Sequence, residues 1–177
     1  MISIVIPLFN EAGNLEKLYQ HLSKVLISLD QPYEIVFVND GSTDNSAEIL
    51  DGLFAQDSLV QVIHFQRNYG KTPALTAGFQ HSRGEIIVTL DADLQDDPAE
   101  IPAMLNKLDE GYDLVTAWRR QRQDSLDKTL PSRMFNWAVS TFSGVKLHDF
   151  NCGFKVYRRM VTEKIELYYS SYPDQIQ

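Results

Sequence analysis

The sequence has a single cysteine, Cys152, in 177 residues. That excludes an internal disulfide and a cysteine-based zinc site. Nine glycines and seven prolines, scattered along the chain, exclude collagen-like and Pro/Gly-rich low-complexity sequences. No apolar run approaches the roughly 18–20 residues that a membrane-spanning helix needs, so no transmembrane segment is expected. The opening apolar stretch, residues 2–9, has no basic leader and contains Pro7, which speaks against a signal peptide. A reducing, cytoplasmic setting is the resulting expectation. No G-x-G-x-x-G follows the first apolar run and no P-loop occurs, so a glycine-rich dinucleotide cradle is disfavoured.

What is present is a globular composition. With 44% hydrophobic and 23% charged residues, the chain can bury enough apolar surface to fold. Its length favours one domain, burying roughly 70% of its unfolded surface. The net charge of -8 is unevenly placed: residues 1–118 carry 6 Lys and Arg against 18 Asp and Glu, and residues 119–177 carry 10 against 6. An acidic first part speaks against nucleic-acid binding, because phosphate backbones need cations. Acidic side chains still face phosphates where a divalent cation lies between. The basic last third suits another anion, although an unevenly solvated surface meets the same count.

Short apolar runs alternate with amphipathic segments. Residues 2–6 read as a strand covered on both faces, ended by Pro7. Leu15, Leu18, Tyr19, Leu22, Val25, Leu26 and Leu29 follow one helical face, with Asn14 placed to cap it. Residues 35–38, 60–65, 86–90 and 112–117 are the next strand candidates, and 44–56, 72–81 and 98–108 the helices between them. Beyond residue 118 the pattern loosens: 119–129 read as a loop, 131–143 as a helix and 150–157 as a strand. The alternation predicts an α/β open sheet, mostly parallel, with helices on both faces. Ligands of such sheets lie beyond the carboxyl ends of the strands. Polar clusters fall at those ends: Asn10-Glu11, Asn39-Asp40, Arg67-Asn68, Asp91-Ala92-Asp93 and Arg119-Arg120.

The sharpest cluster is Leu90-Asp91-Ala92-Asp93-Leu94-Gln95. An extended Asp-X-Asp puts both carboxylates on one side, and Gln95 continues the period with a neutral oxygen. Hard oxygen donors suit Mg²⁺ or Mn²⁺, leaving positions for water and phosphate. Such a cation stabilises charge on a departing diphosphate. The same segment also reads as an acidic loop leading into the next helix, with Asp96 and Asp97 in place to cap it. Asp40 reads either as an acceptor for a base imide or ribose hydroxyl or as an Asx-turn residue. Glu11 reads as a nucleotide contact or as ordinary first-turn electrostatics. His21, His64, His81 and His148 are scattered and read as structural or surface residues, and Cys152 as a small packed one.

Together these segments resemble one family. Residues 4–11, IVIPLFNE, are similar to the P-x-[YF]-N-E opening of the inverting family 2 glycosyltransferases. Residues 38–44, VNDGSTD, resemble their V-[DN]-D-G-S-x-D turn, and residues 67–71, RNYGK, their R-N-x-G-K segment. Residues 91–98, DADLQDDP, resemble the D-A-D-L-Q-x-x-P of the polyprenyl-phosphate branch, and residues 151–159, NCGFKVYRR, its C-G-F-[KR]-x-[YF] segment. That branch includes dolichyl-phosphate mannose and glucose synthases and bacterial undecaprenyl-phosphate sugar transferases.

The resemblance implies a GT-A fold in one domain, with 1–118 as donor half and 119–177 as acceptor side. It implies a hexose passed from a UDP- or GDP-sugar to a polyprenyl phosphate with inversion. Donor binding would fall to Pro7, Asn10, Glu11, Asp40, Lys71, Asp91, Ala92 and Asp93, and the metal to Asp91, Asp93 and Gln95. Arg119 and Arg133 would handle phosphates, with the bidentate geometry that suits them. Asp93 and Asp149 would orient or assist the acceptor. A phosphate monoester is already anionic at neutral pH, so alignment and charge neutralisation carry the rate. The expected partners are the donor and a lipid phosphate at the cytoplasmic membrane face, with no nucleic acid; a homo-oligomer is compatible with the sequence.

Two departures stand out. The family usually continues past the C-G-F-[KR] segment, whereas this chain ends about 20 residues later, so a truncated acceptor side is expected. Thr116-Ala117-Trp118-Arg119 replaces the commoner G-[ST]-R. Two other readings therefore stand beside the first: a family member acting on a saccharide or protein acceptor, which would need a general base, and a nucleotide-sugar-binding module without turnover.

Overall fold

The computed structural model describes residues 1–117 and 152–164. Six strands form one sheet in the order β3-β2-β1-β4-β6-β5. The strands are β1 (Ile2–Leu8), β2 (Tyr33–Asn39), β3 (Val60–His64), β4 (Ile86–Thr89), β5 (Leu114–Thr116) and β6 (Lys155–Arg158). The helices are α1 (Leu15–Ser28), α2 (Ser46–Gln56), α3 (Lys71–His81), α4 (Ile101–Asp109) and α5 (Arg159–Lys164), with a 3-10 turn at Pro98–Glu100. β1 pairs in parallel with both β2 and β4, and β2 with β3. β6 pairs antiparallel with both β4 and β5, which leaves β5 running with β1 to β4. The expected mostly parallel α/β sheet is the one observed. The antiparallel β6 between β4 and β5 is the feature that the alternation of runs did not foretell.

The two faces of the sheet explain the apolar pattern. All seven residues of β1 are buried, as a strand covered on both sides requires. Ile2, Ile4, Ile6 and Leu8 join Ile35, Phe37 and the helical Leu15, Leu18, Leu22 and Leu26 in one core. Val5 joins Val36, Val38, Ile63, Ala74, Ala77 and Phe79 in the other. Each buried leucine of α1 contributes about 1.5–3 kcal/mol relative to exposure. Together they are enough to dock α1 without a good cap. Asn14 takes the cap position but makes no side-chain cap bond; its amide donates to Glu11 Oε2 at 2.6 Å instead.

Pro7 does not end β1 as expected. The strand runs on to Leu8, with Pro7 opposite Val38. Along β1 the backbone groups alternate: Leu8 O accepts from Asp40 N on the β2 side, and Val5 O from Leu90 N on the β4 side. Pro7 lies on the same parity as Val5, beyond the last β4 pair, Val5 with Thr89. Its missing N–H therefore removes no ladder bond.

At the opposite, amino-terminal edge, Glu34 is 1% exposed. Its carboxylate accepts from Ser3 Oγ at 2.6 Å, Gln61 Nε2 at 2.6 Å, and Arg83 N and Nε at 2.6 and 2.9 Å. Burial is the largest single influence and pushes this carboxyl up. The Ser3 hydroxyl and the Arg83 amide and guanidinium outweigh it and hold the group below its ordinary value of 4.5. Glu34→Ala orphans these donors and should cost about 3 kcal/mol in urea unfolding at neutral pH. Because the folded-state value is lowered, the stabilisation is complete above the ordinary carboxylate range and disappears as pH falls through the lowered one. The stability gap between wild type and Glu34→Gln should shrink on acidification; a gap that widens would contradict this.

Candidate active site

The carboxyl ends of β1, β2, β3 and β4 lie side by side through their parallel register, so the loops that follow them share one edge of the sheet. The loops after β1 and β2 are latched together. Asn10, with φ of 57°, donates its N–H to Ser42 Oγ at 2.9 Å, and its Oδ1 accepts from Thr43 N at 2.7 Å. Glu11 N donates to Ser46 Oγ and Ala12 N to Asp44 Oδ2, both at 3.1 Å. The Ser46 hydroxyl foremost, against a push from burial, and then backbone amides hold the Asp44 carboxyl below its usual range.

Asp40 stands at the centre of this edge, 4% exposed. Its two carboxylate oxygens accept from Tyr69 N at 2.7 Å and Gly70 N at 2.8 Å. Burial pushes its carboxyl up, partly offset by those two amides. Asp40 thus anchors the loop after β3 whatever else it binds. The Asx-turn reading of Asp40 is not met; the turn is held instead by Asn39, whose Oδ1 accepts from Ser42 N, three residues on, at 2.9 Å. Gly41 explains the tight fit of the two loops: its φ is +68°, and a Cβ there would come 2.5 Å from Arg67 Cα and 2.6 Å from Asn68 N. Only glycine meets both demands.

The anchored loop delivers Lys71, the first residue of α3, whose Nζ pairs with Asp91 Oδ1 just past β4. The Lys71 side chain is 50% exposed. Pairs this accessible contribute about 0–1 kcal/mol, so this one rearranges cheaply when another charge arrives. Residues 92–93 form a turn and Leu94 takes φ of 61°. The expected extended run through Gln95 is therefore not observed. The chain turns instead, Gln95 is exposed, and its N–H donates to Asp93 Oδ1 at 3.1 Å. Asp97, read from the sequence as a helix cap, accepts from Ala99 N at 2.9 Å. Ala92 is buried and Asp91 and Asp93 are partly accessible.

The donor set suits a hard divalent cation: two accessible carboxylates and an amide side chain within five residues, with no sulfur or imidazole. Among the described residues no group of three or more His, Cys, Asp or Glu forms a metal cage. A cation held here would complete its shell with water and phosphate. Arg119, Arg133 and Asp149 lie outside the described residues.

Two features were not read from the sequence. Gly153, just before β6, lies against Asp91: a Cβ added there would come 2.6 Å from Asp91 Cγ and Oδ1. His64 joins Asn39 Nδ2 at 3.0 Å to Asp51 Oδ1 at 3.1 Å, beside a cavity of about 350 Å³ lined by Asn39, Gly41, Ser42 and Phe65 among others. Its only sequence signal was a histidine at a strand's carboxyl end. Cys152 is buried, as expected of a packed residue.

These loops belong to a recognised family. The model for glycosyl transferase family 2 matches residues 3–166, and the chain is a member of that family. It is 43% identical over 164 residues to an undecaprenyl-phosphate 4-deoxy-4-formamido-L-arabinose transferase of Pseudomonas aeruginosa, covering 92% of this chain and 48% of the relative. A protein of the same name from Shewanella sediminis is 45% identical over 163 residues, covering 92% and 49%. The chain thus spans about half the length of the curated relatives it matches.

Solved structures show the same GT-A fold. A mannosyltransferase from Pyrobaculum calidifontis, in complex with GDP-Man and Mn²⁺, superposes with a TM-score of 0.69 at 20% identity, over 93% of this chain and 46% of that one. Glucosyl-3-phosphoglycerate synthase from Mycobacterium tuberculosis, with Mn²⁺, UDP and phosphoglyceric acid, gives 0.70 at 21% identity, over 91% and 56%.

Asp40→Ala removes both acceptors of the anchored loop. An orphaned buried donor costs about 1–3 kcal/mol, so hydrogen exchange at the Tyr69 and Gly70 amides should accelerate roughly tenfold or more. Amides of α1 should be unaffected, and unchanged exchange at 69 and 70 would contradict the anchoring role.

Proposed function

We propose that this chain is the nucleotide-sugar-binding part of a divalent-cation-dependent glycosyltransferase that passes a sugar, with inversion, to a polyprenyl phosphate. The observation that carries the reading is the meeting of Lys71 with Asp91, and Asp93 two residues on, at the carboxyl ends of the parallel strands. That is the edge where such sheets bind their ligands, and an ammonium paired with one carboxylate, with a second carboxylate two residues on, matches a diphosphate bridged by a cation. The names of the relatives supply the acceptor, undecaprenyl phosphate. They also carry an arabinose derivative, a pentose, so the sugar proposed is a pentose or a hexose on UDP or GDP.

Asp91 and Asp93, with Gln95 beside them, would hold Mg²⁺ or Mn²⁺. Bound there, the cation supplies neutralisation of charge on the leaving diphosphate. Lys71 turns its ammonium from Asp91 to a phosphate oxygen, a move made inexpensive by its exposure. Asp40 offers its remaining lone pairs to the base or ribose, and Pro7, Asn10, Glu11 and Ala92 shape the wall of the donor site. The acceptor phosphate, already an anion, attacks the anomeric carbon from the face opposite the diphosphate without a strong base. Asp93 and Asp149 orient it, and Arg119 and Arg133 bind phosphate by paired N–H bonds. No helix among the described residues is long and apolar enough to cross a membrane, and the lipid acceptor would be met at a membrane face.

Asp91→Ala and Asp93→Ala should each abolish Mn²⁺-dependent binding of UDP or GDP, whichever the wild type binds, in calorimetry, with an unchanged melting temperature. Unaltered affinity would remove the metal-site reading. Arg133→Ala should reduce transfer to a lipid phosphate more than donor binding; equal losses would place that arginine on the donor side.

A further inference from the structure

The segment Cys152-Gly153-Phe154 reaches the site from the antiparallel strand. β4 and β6 pair Ile86 with Arg158 through Thr89 with Lys155. Two residues further in the same register, Asp91 stands opposite Gly153. Directly opposed residues on antiparallel strands hold their Cβ atoms about 4.5–5.5 Å apart on one face. Asp91 instead lays its carboxylate into the space that a side chain at 153 would fill. The three atoms nearest an added Cβ are the Cγ and both carboxylate oxygens of Asp91, and no backbone atom is among them. Gly153 is not among the glycines with positive φ. Glycine is needed here for room, not for backbone conformation.

The backbone at this point is held firmly. Thr89 Oγ1 donates to Gly153 O at 2.6 Å, and Cys152 and Phe154 on either side are buried in the core. The same carboxylate pairs through Oδ1 with the Lys71 ammonium.

We propose that Gly153 is a positioning residue for Asp91: its bare backbone leaves the pocket that fixes the carboxylate where a cation-bridged diphosphate meets it. The proposal rests on the reading of Asp91 as a cation-holding residue. The three atoms nearest a methyl group at 153 all belong to the Asp91 carboxylate, so Gly153→Ala presses first on that side chain and not on the backbone of the sheet.

The test uses the full chain, titrated calorimetrically with UDP and with GDP, each in Mn²⁺ and in EDTA, alongside melting temperatures. Gly153→Ala should melt close to wild type and lose at least tenfold in Mn²⁺-dependent affinity. Its affinity in EDTA should be unchanged, a split that a merely structural role would not produce. Thr89→Val, which removes the bond to Gly153 O, should lose in the same direction by a smaller factor. It decides the matter if Gly153→Ala does not fold. Asp91→Ala is the control. If it loses the Mn²⁺-dependent gain while the folded Gly153→Ala, or in its stead Thr89→Val, keeps it, the positioning role is overturned and the functional reading stands. If Asp91→Ala keeps the gain, both fall.

Discussion

The parallel pairing of β1 with β2 on one side and β4 on the other is the constraint on which the site depends. It brings the carboxyl ends of β1, β2 and β4 to one edge, where β3 joins them beside β2, and the loops after these four strands build the site. The pairing is secured by burial on both faces, since Ile4, Val5, Ile6, Val36 and Phe37 are fully enclosed. A one-residue slip would turn each of these side chains to the opposite face. The site inherits its geometry from a core that cannot shift in small steps.

Above that frame, polar groups at the site mostly bind the protein itself. Asn10, Ser42, Thr43, Asp44 and Ser46 tie two loops together, and Asp40 ties down a third. Lys71 and Asp91 pair with each other at this edge, and Asp91 and Asp93 are partly accessible. Satisfying loop amides with side chains rather than water keeps the edge preorganised, which lowers the ordering a ligand must impose. The weak, exposed Lys71–Asp91 pair contrasts with Glu34 at the far edge, buried and met by four donors from three residues. One end of the sheet is built for stability and the other for exchange of partners.

The fold was largely legible in the sequence. Apolar runs at 2–6, 35–38, 60–65 and 86–90 mark β1 to β4, because strands buried on both faces need continuous apolar sequence. The leucines of α1 mark its face by their spacing. Other features depend on partners distant in sequence. Pro7 continues β1 because of where β4 ends; nearer in sequence, Asn14 makes no side-chain cap bond and its amide donates to Glu11. The turn at residues 92–93 and the left-handed Leu94 broke the alternation expected of Asp91 through Gln95. The role of Asp40 as a loop anchor, and the contact of Gly153 with Asp91, appear only once β3 and β6 take their places in the sheet. Membership of glycosyl transferase family 2 was legible in the motifs. The arrangement of each motif's side chains was not.

In the proposed function, Asp91 and Asp93 grip a divalent cation that in turn grips a nucleoside diphosphate. The most direct measurement is an anomalous-difference map from crystals of this chain grown with Mn²⁺ and a nucleoside diphosphate. A manganese peak is expected about 2.0–2.5 Å from a carboxylate oxygen of Asp91 or Asp93, with phosphate oxygens completing the shell and Lys71 drawn toward the phosphate. A bound nucleotide whose manganese is held elsewhere, with Lys71 still paired to Asp91, would contradict it.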